Sequence, residues 1–282
     1  MTNTILALID GSAFSRPVLD LAAWAATRNH APVHLLHVLP PKSLPSVDLS
    51  GEIGLGARST LLSQLSALDD QRASLAMLHG RALLDDAAAF LKAVGISRVT
   101  SQLRQGDLLD SVAGQEAEAG LIVIGKRGQS ADQARGHLGS NFERIVRAAR
   151  LPMLMAPRQM RGIRRATIAY DGSPSARRAL ERMTRLPAHR GLGIEILRAG
   201  DGADGEASLA EAQAMLAQAG ITASTRLLPG TPEEAILSHL QDSGSDFLIM
   251  GAYGHSRIRS LMVGSTTTAI LQKVQLPVLL VR

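Results

Sequence analysis

The chain has no cysteine among its 282 residues. That excludes disulfides, thiolate metal sites and thiol nucleophiles together. Aromatic residues are scarce at 2%, so a core must be built from Leu, Ile, Val, Ala and Met, and little surface is available for stacking bases. No uncharged apolar stretch approaches the roughly 20 residues that span a bilayer. The N-terminus does not read as a secretory leader either, because Met1 to Ile9 has no basic start and Asp10 interrupts the first apolar run. A soluble, cytoplasmic protein with no membrane partner is the expectation. Positive charge is in slight excess, at net +5 and a pI near 10.2. Its basic residues are scattered among 25 acidic ones, and the local concentration from Arg161 to Arg165 falls where a linker is expected. The net charge invites a nucleic-acid reading, but the scatter of the basic residues and the scarcity of aromatics argue against such a partner.

A hydrophobic fraction of 45% and a mean hydropathy of +0.09 exclude a disordered chain. The length suits two domains, each large enough to bury its own core. An internal repeat supports that division. Thr4-Ile-Leu-Ala-Leu-Ile-Asp10-Gly11-Ser12 returns as Ala166-Thr-Ile-Ala-Tyr-Asp171-Gly172-Ser173, and Leu121-Ile-Val-Ile-Gly125-Lys-Arg-Gly128 as Phe247-Leu-Ile-Met-Gly251-Ala-Tyr-Gly254. Gly139-Ser140 returns as Gly264-Ser265, and Leu151-Pro152 as Leu276-Pro277. The offset is 161 at the front and about 125 from Gly95 and Gly220 onward, so the first copy carries about 36 extra residues. The stretch from Pro40 to Gly56, rich in proline and glycine, is the natural place for part of them.

Short apolar runs at 5–9, 33–39, 99–103, 121–124 and 152–156 read as strands. Between them lie Ala/Leu-rich segments with helical spacing, one at 14–28 and one at roughly 70–94 within a pattern that begins near Arg58. The second copy repeats this in fewer residues. Ser173-Pro174 opens its first helix, Gly220 ends its second, and Thr231-Pro232-Glu233 starts its third with a cap, a proline and an acid. Strands alternating with helices predict parallel sheets covered on both faces. The fold class is α/β, with two doubly wound domains at about 1–157 and 163–282.

In such sheets ligands bind beyond the carboxyl ends of the strands, where the strand order reverses. Two loops of the second copy leave such ends: Asp171-Gly172-Ser173, and the run from Gly251 through Gly254 to Gly264-Ser265-Thr266-Thr267. Glycines let the backbone approach a phosphate, and a helix opening at 264–274 offers free N–H groups and a favourable dipole. Ser265, Thr266 and Thr267 add hydroxyls. Other signals fail. His34 and His37 lie three apart on a strand and cannot share a metal. Gly254-His255-Ser256-Arg257-Ile258 lacks the last glycine of a hydrolase elbow. Neither copy has the lysine-bearing phosphate loop of the strong ATPases.

The pattern Gly-x2-Gly-x9-Gly-Ser/Thr, with an Asp on a preceding first strand, resembles the ATP-binding signature of the universal stress protein family. His255-Ser256 and Leu276-Pro277-Val278 are similar to that family too. The resemblance covers the whole chain as two tandem domains. It implies five-stranded parallel sheets of order 3-2-1-4-5. It implies ATP in the second copy, with Asp171 and Gly172 near the adenosine and Gly251, Gly254, Gly264, Ser265, Thr266 and Thr267 at the phosphates. A divalent ion, Mg²⁺, accompanies the phosphates in some members. A regulatory role through nucleotide occupancy, with slow or no hydrolysis, follows; the alternative is an enzyme using ATP for adenylyl or pyrophosphate transfer.

The first copy has a degenerate form of the loop. Asp10, Gly125, Gly128, Gly139 and Ser140 are candidates there, but ten residues separate Gly128 from Gly139, and Asn141 replaces the second hydroxyl. Asp132 adds a negative charge that Lys126 and Arg127 stand ready to offset. The segment 40–56 is expected to be a flap over the first cleft or a solvated loop. The final strands, 152–156 and 277–281, are short, apolar and at a sheet edge in this topology, so the two copies are expected to pair through them within one chain. A further homodimer is compatible with this.

Overall fold

Runs such as Val33–Leu39 and Ala119–Gly125 are too short for stable helices and too apolar for a half-solvated strand, so they need cover on both faces. The computed structural model describes residues 4–41, 55–128, 137–185, 187–200, 203–252 and 264–282. Their strands are β1 (Thr4–Leu8), β2 (Val33–Leu39), β3 (Val99–Gln105), β4 (Ala119–Gly125), β5 (Met153–Ala156), β6 (Arg165–Ala169), β7 (Gly193–Ala199), β8 (Ala223–Leu228), β9 (Phe247–Gly251) and β10 (Val278–Val281). Their helices are α1 (Ser15–Asn29), α2 (Leu55–Ala93), α3 (Leu108–Ala113), α4 (Ser140–Ala148), α5 (Pro174–Arg185), α6 (Ala203–Gln218), α7 (Pro232–Asp242) and α8 (Ser265–Lys273). None of them is long and apolar enough to cross a membrane.

The strands form one ten-stranded sheet of order β3-β2-β1-β4-β5-β10-β9-β6-β7-β8. Read inward from either end, the order is 3-2-1-4-5, as the family resemblance implies. Every pairing within a half is parallel. Side chains of successive strand residues alternate between two cores. Ile5, Ala7, Val33, Leu35 and Val123 pack under α1 and α2, and the same core continues under α5 and α6. Leu6, Leu36, Ile122 and Ile124 pack against α4, and that core continues under α7 and α8.

Local chemistry sets the helix ends. Asp107 caps α3 by accepting from Leu109 N and Asp110 N. Thr231 caps α7, accepts from Glu234 N, and is followed by Pro232 in the first turn, as its sequence predicts. The extra length of the first copy goes largely into α2, which has 39 residues where its counterpart α6 has 16. The helix starts at Leu55, so Leu55 and Gly56 are helical rather than part of the expected loop. Residues 42–54, the rest of the proposed flap beyond Pro41, lie outside the described residues.

The two halves meet at β5 and β10, which pair antiparallel with Leu279 opposite Leu154, Val278 opposite Met155 and Leu280 opposite Met153. All eight residues of these strands are buried, and their side chains join both cores. The edge pairing expected from the sequence is therefore present. Around it, cations of one half donate to carbonyls of the other. Arg28 reaches Ala188 O and Arg190 O, and Arg182 reaches Gly120 O. Lys126 Nζ donates to Gln272 O and Val274 O, both at 2.8 Å, at the end of α8. Arg282 Nη1 donates to Arg147 O and Ala149 O at the end of α4. Those last two pairs of carbonyls occupy matching positions in the repeat, so each half closes the same helix of the other. Cations there also complement the helix dipole.

Two outcomes follow. Leu279→Ala should lower unfolding stability by about 2–4 kcal/mol, the usual cost of emptying a buried leucine site, and should expose β5 amides in the other half to hydrogen exchange; β5 protection unchanged in the variant would contradict the pairing. Lys126 is 8% exposed, and burial, followed by the charge of Arg127, pushes it down from 10.5 to about 8. Between pH 8 and 10.5 the unfolded chain keeps a proton that the folded chain has lost, so stability at this residue rises with pH across that window and is flat below it. Denaturation of the parent and Lys126→Met at each pH should show the parent gaining on the variant from pH 8 to 10.5; a constant or falling difference contradicts the burial.

Candidate functional site

The first strand of each half ends in the same turn. Gly11 and Gly172 have φ of 78° and 75°, a left-handed conformation that glycine adopts without cost. Ser12 N donates to Asp10 Oδ1 at 3.0 Å, and Ser173 N to Asp171 Oδ1 at 2.9 Å. Each aspartate is thus held at the carboxyl end of the strand, beside the end of the fourth strand, where the order reverses.

A cleft of about 250 Å³ opens there in the second half, and Asp171, Gly251, Gly264, Ser265, Thr266 and Thr267 all line it. Gly172 adjoins the cleft without lining it. Gly254 lies outside the described residues, as do His255 and Ser256. Ser173, from the Asp171-Gly172-Ser173 loop, lines the cleft too, and sequence reasoning missed the rest of the wall: Ala169, Tyr170, Leu197, Ala199, Pro232, Ile236, Met250 and Ile270. The burial-seeking pattern of the strand ends and of α7 was the available signal. One glycine has a packing reason that the sequence does not show. A Cβ on Gly251 would collide with Ser175 and lie 2.9 Å from Ala176 N, so this glycine admits the close approach of the start of α5.

The phosphate end is the start of α8. Gly264 is its N-cap, provides no side-chain cap, and no acidic residue occupies the first turn. Ser265 and Thr266 are exposed beside it, whereas Thr267 is buried. The first N–H groups of a helix have no partner within it, and here they meet a cleft with hydroxyls and a positive dipole end. This arrangement suits an anion. Among the described residues no group of three or more His, Cys, Asp or Glu side chains comes together to hold a metal.

The first half has a matching cleft of about 290 Å³, lined by Asp10, Gly125 and Gly128 but not by Gly139 or Ser140. Its chemistry differs. Glu143 stands in the first turn of α4. Arg144 and Asp107, both in the lining, pair at 2.7 Å between α4 and α3; the bond to Arg144 holds the Asp107 carboxyl below its usual range. The glycines again serve the protein itself. A Cβ on Gly128 would lie 2.8 Å from Asp10 Oδ2, and one on Gly139 3.0 Å from Arg127 Cα. Asp132, whose charge Lys126 and Arg127 are expected to offset, lies outside the described residues. Lys126 is committed to the end of α8, while Arg127 Nε donates to His137 O. His34 and His37 are likewise engaged separately, with Thr100 and Ile9 O.

Known proteins resemble this arrangement over its whole length. The model of the universal stress protein family matches residues 1–157 and again 162–282. Universal stress protein Slr1230 of Synechocystis is 37% identical over 99% of this chain and 100% of its own. The crystal structure of a universal stress protein from Archaeoglobus fulgidus superposes with a TM-score of 0.78 at 20% identity, covering 100% of this chain and 99% of that one. A putative universal stress protein from Pseudomonas aeruginosa gives 0.65 at 16% identity, covering 99% and 93%. Two family matches in tandem, on two halves of the same topology, make this chain a member of the universal stress protein family.

Proposed function

We propose that the chain is an ATP-binding regulator of the stress response that acts through nucleotide occupancy, and that the second half holds the nucleotide. The observation that carries this is the uncapped, acid-free start of α8 in a cleft shared with Asp171. ATP has an anionic end for the N–H groups and hydroxyls of Ser265 and Thr266, and a ribose for Asp171. Apolar Leu197, Ala199, Ile236 and Met250 supply the wall against which a base can lie. Mg²⁺ would draw its ligands chiefly from the phosphates and water, the usual arrangement for this ion.

The first half is the weaker candidate for the same physical reasons. Glu143 brings an acid to the first turn of α4, outside the cleft lining and paired with Arg147 at 3.3 Å, and the Arg144–Asp107 pair, which does line the cleft, spends both charges on each other. In the second half the corresponding cap is Thr231. The chemistry of turnover is sparse too: among the described residues that line the second cleft, Asp171 is the one carboxylate, and no histidine or lysine is present. Slow or absent hydrolysis fits a protein that signals by being loaded. Rapid turnover with a co-substrate would favour the adenylyl- or pyrophosphate-transferring alternative.

Calorimetry on variants tests the assignment. Ser265→Ala should weaken ATP binding by about 1–3 kcal/mol, the loss of a hydroxyl bond to a charged acceptor. Thr268→Glu, which places in α8 the acid that α4 carries as Glu143, should weaken binding severalfold while leaving the free protein as stable or more so, since an acid suits a helix start. Ser140→Ala should leave binding unchanged. Full affinity in the first two variants, with a loss in Ser140→Ala, would move the nucleotide to the other half.

A further inference from the structure

Helix α2 carries a surface that the fold does not need. Its second half packs inward through Gly80, Leu84, Ala87 and Leu91, which repeat at helical spacing and are buried. On the opposite side, around the middle of the helix, stand Leu68, Leu75 and Leu78, exposed at 49%, 65% and 62%. Among the described residues these three and Val94 are the large apolar side chains left exposed, so the exposure is concentrated on one helix. The matching helix of the second half, α6, completes its domain with 16 residues and has no such extension. A helix that is apolar on two opposite faces expects cover on both.

We infer that this stripe is a homodimer interface, in which α2 of one chain packs antiparallel against α2 of a second copy. The pattern of the stripe is the first reason. Leu65, half-buried, joins Leu68, Leu75 and Leu78 in a 3-7-3 spacing that is symmetric about the point between Gln71 and Arg72. A two-fold axis at that point sets Leu68 against Leu75 and Leu65 against Leu78, each pair occurring twice, as a self-complementary interface requires. An unrelated partner has no need of a palindrome. Charge is the second reason. Arg72 lies at the waist and Asp69 one turn away on the same flank, where they pair at 3.5 Å with both side chains in solvent. In an antiparallel pair the same flanks adjoin, so each Arg72 faces the Asp69 of the other copy. This face is separate from β5 and β10, which are already paired with each other. A leucine contact of about four turns is small and fits a reversible dimer.

Sedimentation of the full chain between about 1 and 500 μM should show a concentration-dependent species of twice the 29.8 kDa chain mass. Leu68→Glu with Leu75→Glu should leave it monomeric, with an unchanged circular dichroism spectrum. Arg72→Asp alone should weaken the dimer, and Arg72→Asp with Asp69→Arg should restore it. Because the chain has no cysteine, single introduced thiols report the register independently of those variants. Gln71→Cys, beside the axis, should oxidise to a covalent dimer, and Arg81→Cys, distant from its own copy, should not. A monomer throughout the range, a dimer that survives the two glutamates, or equal cross-linking at both thiols overturns the inference.

Discussion

The antiparallel pairing of β5 with β10 is the contact on which the rest of the molecule rests. Each strand is four residues long, wholly apolar and buried on both faces. Left at a sheet edge, either would present unpaired backbone groups beside exposed leucine and methionine. Joined, they turn two five-stranded sheets into one and merge the cores on both faces. The direction of the pairing also sets where the sites lie. Strands of one half run opposite to those of the other, so the two clefts, each at the carboxyl ends of its own strands, open on opposite edges of the sheet.

That arrangement explains why α4 and α8 are capped from across the seam. Each begins at the cleft of its own half and runs antiparallel to its strands toward the edge at which the other cleft opens. There Lys126, one residue past β4, meets the end of α8, and Arg282, one residue past β10, meets the end of α4. The carbonyls are equivalent in the repeat but the cations are not, because Ala252 stands where Lys126 would recur and Pro157 where Arg282 would. The halves have diverged while keeping the same pair of helix ends satisfied. The halves differ elsewhere too: the first has a long helix, an ion pair in its cleft and an acid at its helix start, whereas the first turn of α8 in the second has no acid.

Most of the strand framework was legible in the sequence. The Val-, Ile- and Leu-rich runs lack the length for helices, and the repeat of Asp-Gly-Ser and Gly-x2-Gly identifies equivalent strand ends without reference to any structure. The pairing of Leu154 with Leu279 was legible for the same reason, since two short apolar strands at sheet edges have few ways of being buried. The length of α2 was only half legible: helical spacing begins near Arg58, but proline and glycine up to Gly56 mask the true start at Leu55. Long-range bonds left no pattern to read. Lys126 looks like a phosphate-side cation until the sheet brings α8 beside it, although the alanine at the equivalent position of the other half was a clue that the lysine serves something other than the loop. The glycines are a similar case: Gly251, Gly128 and Gly139 stand where a Cβ would crowd Ala176, Asp10 and Arg127 of the protein itself, contacts that the spacing of the glycines does not show.

Function enters this fold through the sites rather than the scaffold, and the central claim is that only one of the two has the chemistry for a nucleotide. Protein purified without added nucleotide, denatured, and assayed by mass spectrometry with quantitative standards tests that claim directly. The expected result is an adenine nucleotide, chiefly ATP, rising to one equivalent per chain after incubation with excess ATP. Two equivalents per chain would contradict the asymmetry of the halves, and the absence of any adenine nucleotide at saturation would contradict the ligand.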